Sequence, residues 1–193
     1  MPNYELSDEE LIKKFQGGDE RAYNQIVYRY KDRLLNFICR YLNDIDRSED
    51  LVQDTLLKLY THKDSYKEIA KFSTWLYTIA ANFARTELRK IKTRKTFSVT
   101  ELSRDDREFI FSSTDEGPGE ENLAQNFEKN VQSALSELPD DFKTIIILRD
   151  IQELSYDEIS KIVEVPLGTV KSRINRGRLK LQELLKTKGE RSY

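Results

Sequence analysis

The chain has 193 residues, of which 38% are hydrophobic and 34% charged, values typical of one or two water-facing domains with their own cores. Its 34 acidic residues nearly balance 32 lysines and arginines, so the net charge of −2 neither favours nor excludes a nucleic-acid partner. One cysteine excludes an internal disulfide, the acidic N-terminus is unlike a signal peptide, and no apolar run could span a bilayer, so we expect a cytoplasmic protein.

The first hundred residues predict long helices. No glycine occurs between Gly18 and Gly117, and apolar residues recur every three or four positions through this stretch. A capping box of Ser7 and Glu10 predicts the start of the first helix, which the following Gly-Gly pair ends. The second helix is predicted over about 19–42.

The third and fourth predicted helices carry opposite charges on their solvent sides. The third begins near the sequence DRSED and turns a row of acidic and amide side chains outward. The fourth begins near Ser73, continues past Arg89, and has six bases and one acid between Arg85 and Lys95. It therefore presents a basic strip that suits nucleic acid, whereas the acidic helix suits a basic protein partner.

A flexible linker is predicted after the fourth helix. Between Glu101 and Glu121 the chain has eight acids, two arginines and the sequence GPG, a composition too polar for a packed core. The linker separates a domain over 1–95 from one over 126–193, with the linker itself over 96–125. No set of strands is evident, so the predicted fold class is all-α, with two small helical domains.

The second domain ends in a helix-turn-helix pattern. The domain begins with an apolar helical stripe that starts at Phe127, followed by a predicted helix over DDFKTIIILRDI. A short helix comes next, and Ser155 and Glu158 predict its start as a capping box. After the turn comes PLGTVKSRINRGRLKL, which has five bases and no acid. Its apolar residues, with Gly177, fall on one side and its bases on another, as in a helix that enters a DNA groove.

These motifs together resemble the bacterial sigma factors of RNA polymerase, specifically the extracytoplasmic-function group. SEDLVQDTLLKLY resembles region two-two, FSTWLYTIAANFARTELRK resembles the helix that recognises and melts the minus-ten element, and LSYDEISKIVEVPLGTVKSRINRGRLKL resembles the region-four helix-turn-helix. Glu164 departs from the small or polar residue usual in the turn. The resemblance implies promoter-specific initiation with core RNA polymerase, contacts to the beta-prime coiled coil and the beta flap, and sequestration by an anti-sigma factor.

The resemblance also implies which residues serve each contact. Polymerase contacts are expected at Glu49, Asp50, Gln53 and Asp54. Minus-ten contacts are expected at Lys71, Phe72, Ser73, Asn82, Arg85 and Arg89, with a flipped base captured near Phe72. Minus-thirty-five contacts are expected at Thr169, Lys171, Ser172, Arg173, Asn175, Arg176 and Arg178.

Other interpretations remain open at this point. The basic faces are also compatible with solvated helix surfaces, the acids with a favoured helix N-terminus, and Phe72 and Trp75 with core packing. If the protein were an ordinary helix-turn-helix regulator, the acidic helix and the second basic strip would have no role. If it were an interaction protein that does not bind DNA, neither basic strip would have one. An enzyme is disfavoured because His62 stands alone and no glycine loop could cradle phosphate. Asp50 and Asp54 have no histidine at ligand spacing, so we expect neither a metal nor a cofactor.

Overall fold

The computed structural model describes residues 6–98 and 120–190, and the side chains of 6–94 and 127–188. Its regular elements in these ranges are helical. The first four helices are α1 (Asp8–Gln16), α2 (Glu20–Leu42), α3 (Ile45–Thr61) and α4 (Phe72–Ser98), with a short 3-10 turn at Lys63–Ser65. The remaining four are α5 (Glu120–Glu137), α6 (Asp140–Ile146), α7 (Tyr156–Val163) and α8 (Leu167–Glu190).

Side-chain caps fix where the helices of the first unit begin. The predicted capping box of Ser7 and Glu10 is confirmed at the start of α1. Asp19 accepts a hydrogen bond from the Arg21 N–H at the start of α2, and Asp44 does the same for Arg47 at the start of α3. Because each cap satisfies a backbone donor that the helix leaves unpaired, four closely spaced helices can form with short connections.

One continuous buried cluster joins the two helical units. It includes Tyr30, Phe37 and Tyr77 from the first unit, and Ile146 and Ile162 from the second. Helix α4 packs against α2 and α3 and also against α7, while α2 packs against α5. The two predicted helical domains are therefore present, and in this structure they pack against each other.

Several boundaries differ from the sequence-based expectations. Helix α4 extends to Ser98 and α5 begins at Glu120, so both enter the range expected to be linker, and residues 99–119 lie outside the described ranges. Phe127, expected on the buried stripe of α5, is 66% exposed. It belongs to the first turns of α5, N-terminal to the buried residues Ala134, Leu135 and Leu138.

The helix expected over DDFKTIIILRDI changes its winding midway. α6 passes into a π-helical turn at Ile147–Ile151, in which the Gln152 N–H donates to the Ile147 carbonyl. The four consecutive residues from Ile145 to Leu148 are all buried. A regular amphipathic helix turns one of every four residues toward solvent, so a fully buried run of this kind requires neighbours on every side.

The second unit is held together by a close approach between α6 and α8. Gly177, on the buried side of α8, is the point of nearest contact. A Cβ atom there would lie 3.1 Å from Ile146 Cγ1 and 3.3 Å from Phe142 Cβ. The expectation that Gly177 allows close packing is therefore confirmed.

Gly177→Ala and Gly168→Ala provide a matched test of this contact. Gly168, in the first turn of α8, has nothing within 4 Å of a Cβ atom, so alanine there should add about 0.5–1 kcal/mol to the free energy of unfolding. At Gly177 crowding of about 1–3 kcal/mol should outweigh the same gain and give a net loss. Urea denaturation of both variants measures the difference, and equal gains at the two positions would contradict tight packing at Gly177.

Candidate nucleic-acid interface

The helix-turn-helix is formed by α7, a tight turn and α8. The predicted capping box of Ser155 and Glu158 is confirmed at the start of α7. Helix α7 ends at Glu164, which adopts a left-handed conformation with φ 56°, and the Ser160 hydroxyl donates to the Val165 carbonyl at 2.6 Å. The left-handed conformation at the end of a helix is usually adopted by glycine or asparagine. Glutamate is less stable in this conformation, but Glu164 adopts it here and the turn forms.

The basic side of α8 faces solvent. Lys171, Ser172, Asn175 and Arg176 are exposed, and Thr169 is half-buried. On the opposite side Val170, Ile174 and Gly177 are buried, so the two-sided pattern expected from the sequence is confirmed. The sequence-predicted contact residues of this helix therefore form one polar surface that a DNA groove could reach.

Two arginines of this surface are held by carboxylates of the same unit. Arg173 pairs with Asp141 of α6 at 2.8 Å, and the Arg178 guanidinium binds both carboxylate oxygens of Asp150 in the π-helical turn. Arg178 remains 49% exposed and Arg173 28% exposed at their side chains. Exposed pairs of this kind contribute little stability, so phosphate can displace them at small cost.

The basic strip of α4 is more covered than that of α8. Asn82 and Arg89 are exposed, whereas Arg85 is half-buried and donates from Nη2 to the Ile162 carbonyl of α7 at 3.2 Å. Lys71, just before α4, pairs with Glu158 at the start of α7 at 3.2 Å. Since α7 contacts both Lys71 and Arg85, these two bases lie on the same side of the first unit.

Of the two interpretations left open for the Phe72 ring, the structure has core packing. Phe72 is fully buried, and its ring packs against those of Tyr30, Tyr66 and Trp75 with centroids 5.7–6.1 Å apart. The ring is therefore unavailable for stacking on a base in this structure. Aromatic spacing alone did not distinguish this core position from a stacking platform. Ser73, next in the chain, is half-buried.

A cleft between the two units brings their arginines together. It has a volume of about 230 Å³ and is lined by Arg85 and Arg89 of α4 and Arg173 of α8, with Asp140 and Asp141 beside them. Arginines expected to contact two separate promoter elements thus share one cleft. In this arrangement a duplex cannot reach Arg85.

Buried hydrogen bonds fix the two units in this closed arrangement. The Tyr77 hydroxyl of α4 donates to Gln152 Oε1 at 2.5 Å, and the Thr144 hydroxyl of α6 donates to the Tyr41 hydroxyl at 3.3 Å. Burial raises the pKa of Tyr77 to about 12, so its hydroxyl is a neutral donor at neutral pH. Because these groups are removed from water, each must be re-solvated when the units separate.

The acidic side of α3 forms a third surface, away from these two. Glu49, Asp50, Gln53 and Asp54 are all exposed, as predicted. Glu49 and Gln53, with Lys31 of α2, line a cleft of about 160 Å³ whose apolar lining comes from Leu35, Val52 and Leu56. Leu57, next to Leu56 in the chain, is 60% exposed. The sequence-based list omitted Leu57, although its place after Leu56, off the buried stripe, was a visible signal.

Membrane-spanning helices and clusters of metal ligands are absent from the described residues. No helix within 6–98 or 120–190 is long and apolar enough to cross a membrane. Nowhere in the described part of the chain do three or more histidine, cysteine or carboxylate side chains gather in a way that could hold a metal ion. His62 is exposed at the end of α3, where its ring contacts Lys58 and Thr61.

Comparison with known proteins gives matches to both helical units. The family model for sigma-70 region 2 matches residues 26–94, and the model for sigma-70 region 4 matches residues 128–181. The sigma factor SigW of Bacillus subtilis, an extracytoplasmic-function sigma factor, is 33% identical over 94% of this chain and 98% of its own. The extracytoplasmic-function sigma-E factor of Haemophilus influenzae is 35% identical over 90% and 93%.

The chain belongs to the sigma-70 family of RNA polymerase sigma factors. It falls in the extracytoplasmic-function group, as the resemblance implied.

Solved structures agree across both units of this sigma factor. The sigma factor RpoE of Bartonella quintana, crystallised with the anti-sigma factor NepR, matches with a TM-score of 0.67 and 30% identity over 85% of this chain and 96% of its own. The protein CnrH, solved with the cytosolic domain of CnrY, shares the fold with a TM-score of 0.70 and 22% identity, over 94% and 99%. The fold match therefore extends beyond either region alone.

Gln152→Ala should loosen the closed arrangement of this sigma factor. The substitution leaves the Tyr77 hydroxyl buried without its acceptor, at a cost of about 1–3 kcal/mol to the closed state. We expect a larger radius of gyration in small-angle scattering, with helical content unchanged. Glu153→Gln, at the exposed neighbouring position, is the control and should scatter like the unmodified protein; identical profiles for all three would contradict a role for this bond in closure.

Proposed function

We propose that this sigma factor divides promoter recognition between its two helical units, with residues 1–95 binding polymerase and the minus-ten element and residues 126–193 binding the minus-thirty-five element. Residues 96–125 connect the two. The observation that carries the proposal is the presence of one acidic surface, exposed on α3, and two basic ones, exposed on α8 and partly covered by α7 on α4. In this role the protein is an initiation factor that works with core polymerase in the cytoplasm and needs no cofactor of its own.

The acidic surface of α3 suits a basic protein partner. Glu49, Gln53 and Lys31 line an otherwise apolar cleft, and Asp50 and Asp54 are exposed on the same helix as Glu49. A partner helix could bury its own apolar residues in the cleft while its basic residues pair with these acids. None of Glu49, Asp50 and Asp54 forms an ion pair with another described residue. They are therefore available to the beta-prime coiled coil, the partner that the family implies.

Gln53→Ala with Asp54→Ala should abolish binding to core polymerase. Both side chains are exposed, so the double variant should keep its thermal midpoint while it loses a charge and an amide from the partner surface. Gel filtration with core polymerase measures assembly. The control is Asp32→Ala, which removes an exposed acid from α2 and should leave assembly unchanged. Normal assembly by the Gln53 and Asp54 double variant would contradict the assignment.

The basic surface of α8 is proposed to enter the major groove at the minus-thirty-five element. Lys171, Asn175 and Arg176 are exposed on it, and an α-helix with such side chains fits the major groove. These side chains can form hydrogen bonds both to the edges of DNA bases and to phosphate oxygens. The flap of the beta subunit is the expected polymerase contact of this second unit.

Arg176→Ala should weaken binding of the holoenzyme to the upstream element by roughly tenfold, because one charged contact to a base or phosphate is lost. Lys186→Ala removes the same charge about 15 Å further along α8 and should have a much smaller effect. Footprinting at several salt concentrations distinguishes the two variants. An unchanged footprint for Arg176→Ala would show that this side of α8 does not contact DNA.

The closed arrangement must open for both elements to be bound. Arg85 and Lys71 contact α7, so DNA can occupy the α4 strip only after α7 has moved away. Polymerase would supply the energy by holding the two units at promoter spacing, where each gains from the high effective concentration of the other's site. An anti-sigma factor would act in the opposite direction, by holding both units away from promoter DNA.

Transcription by core polymerase on genomic DNA, with and without the protein, tests the proposed function as a whole. We expect new start sites that share two upstream elements at constant spacing. Absence of any protein-dependent start site would overturn it. A DNA-binding regulator that never joins polymerase would shift promoter fragments but would not co-elute with core enzyme.

A further inference from the structure

The loop between α3 and α4 is held in place by the N-terminal helix α1. Gln16, the last residue of α1, donates from Nε2 to the carbonyl of Lys63 at 2.8 Å and to that of Tyr66 at 3.2 Å. In return the Lys63 ammonium donates to the Phe15 carbonyl at 2.9 Å. These three bonds join segments about fifty residues apart, so they fix the first half of the loop to a separate helix.

The second half of the loop is fixed as well. Glu9 of α1 accepts the backbone N–H of Phe72 at 3.0 Å, which holds the start of α4. The Tyr66 hydroxyl donates to the Ala70 carbonyl at 2.8 Å, while its ring lies 5.7 Å from that of Phe72 and 5.6 Å from that of Trp75. Both ends and the middle of the loop are therefore anchored.

An apolar side chain stands at the tip of this anchored loop. Ile69 is 86% exposed, and its N–H donates to the Lys67 carbonyl at 2.7 Å in a tight turn. Lys67 and Lys71, on either side of it, are also exposed. The backbone on both sides of Ile69 is held by hydrogen bonds, and its side chain, which is exposed to water here, would gain free energy if a partner covered it.

The tip lies at the end of the basic strip of α4. Lys71 and Arg85 face the same neighbouring helix, α7, and so lie on one side of the first unit. Thirteen helical residues separate Phe72 from Arg85, or about 20 Å, which corresponds to roughly six nucleotides of a stacked strand. A strand bound along Arg85 and Arg89 would therefore reach the loop within the length of one promoter element.

We propose that Ile69 is a wedge that inserts between base pairs at one edge of the minus-ten element, and that Gln16 is the positioning residue that keeps it in place. The inference rests on the proposed function and adds to it the residue that starts strand separation. Inserted aliphatic side chains unstack a base step and kink the duplex in other DNA-bending proteins. The flanking lysines would bind the phosphates on each side of the opened step.

The rigidity of the loop is what makes insertion effective. A mobile loop would move aside when Ile69 met stacked bases. An anchored loop keeps Ile69 in place, so the free energy of DNA binding to the α4 strip can offset the cost of unstacking the base step. Loss of Gln16 should therefore impair opening even though Gln16 does not touch DNA. Its effect must resemble that of losing Ile69, because both act at the same step.

The experiment compares open-complex formation by holoenzyme on two templates of one mapped promoter, a normal duplex and a heteroduplex already unpaired across the minus-ten element. We expect Ile69→Ser to lower open complexes on the duplex about tenfold, equivalent to about 1.4 kcal/mol, and to match the unmodified protein on the unpaired template within about twofold. Gln16→Met, which keeps the length but loses the amide donors, should show the same split. Ile69→Leu should retain activity on both templates.

Phe127→Ser is the matched control, since it removes another exposed apolar side chain from a different unit and should change neither result. Thermal midpoints of the Ile69 and Phe127 variants should equal that of the unmodified protein, whereas Gln16→Met should lower it because the Lys63 and Tyr66 carbonyls lose their donor. Core-polymerase binding should be unchanged in all variants. Full activity of Ile69→Ser on the duplex, or equal losses on both templates, would overturn the wedge. If the unmodified protein opens neither template, the proposed function fails instead.

Discussion

The contact between α4 and α7 governs what this molecule can do. Helix α4 carries apolar residues of the buried cluster, and it also carries the basic residues that we propose bind the displaced DNA strand. Helix α7 is the support of the recognition helix in the second unit. When the two pack together, α7 covers Arg85 and pairs with Lys71, so this side of α4 cannot contact α7 and the proposed promoter strand at once.

The net charge of this protein is close to zero, but acidic residues predominate on one exposed surface and basic residues on another. Asp141 and Asp150 hold Arg173 and Arg178 in extended positions at the edge of α8. Neither carboxylate is buried, so these pairs orient the guanidinium groups without trapping them. Glu49, Asp50 and Asp54 of α3, in contrast, form no ion pair among the described residues, although Lys31 lines the same cleft as Glu49. One set of carboxylates prepares the DNA surface and another remains available to a protein.

Much of this arrangement follows from local sequence. The helical period placed the buried and exposed sides of α3, α4 and α8, and two serine-glutamate capping boxes marked helix starts that the structure has. These features depend on residues three or four apart, which a single sequence displays directly. The inward position of Gly177 was visible in the same way.

The remaining features depend on residues far apart in the chain. Tyr77 meets Gln152 and Gln16 meets Lys63 only because the helices between them fold back, and nothing in the local pattern of either residue specifies its partner. The position of Phe72 stayed open for a related reason: its spacing suits a core residue and a surface aromatic equally, and the packing of Tyr30, Tyr66 and Trp75 around it decides. The π-helical turn likewise reflects burial from all sides.

The absence of a side chain at Gly177 has a consequence for how promoter choice can change. The stability of the recognition helix comes from its seat on α6, which lies on the side away from DNA. Arg176, immediately before it in sequence, is exposed to solvent. New combinations of outward residues can therefore be tried at this helix, by evolution or in the laboratory, without disturbing the scaffold that presents them.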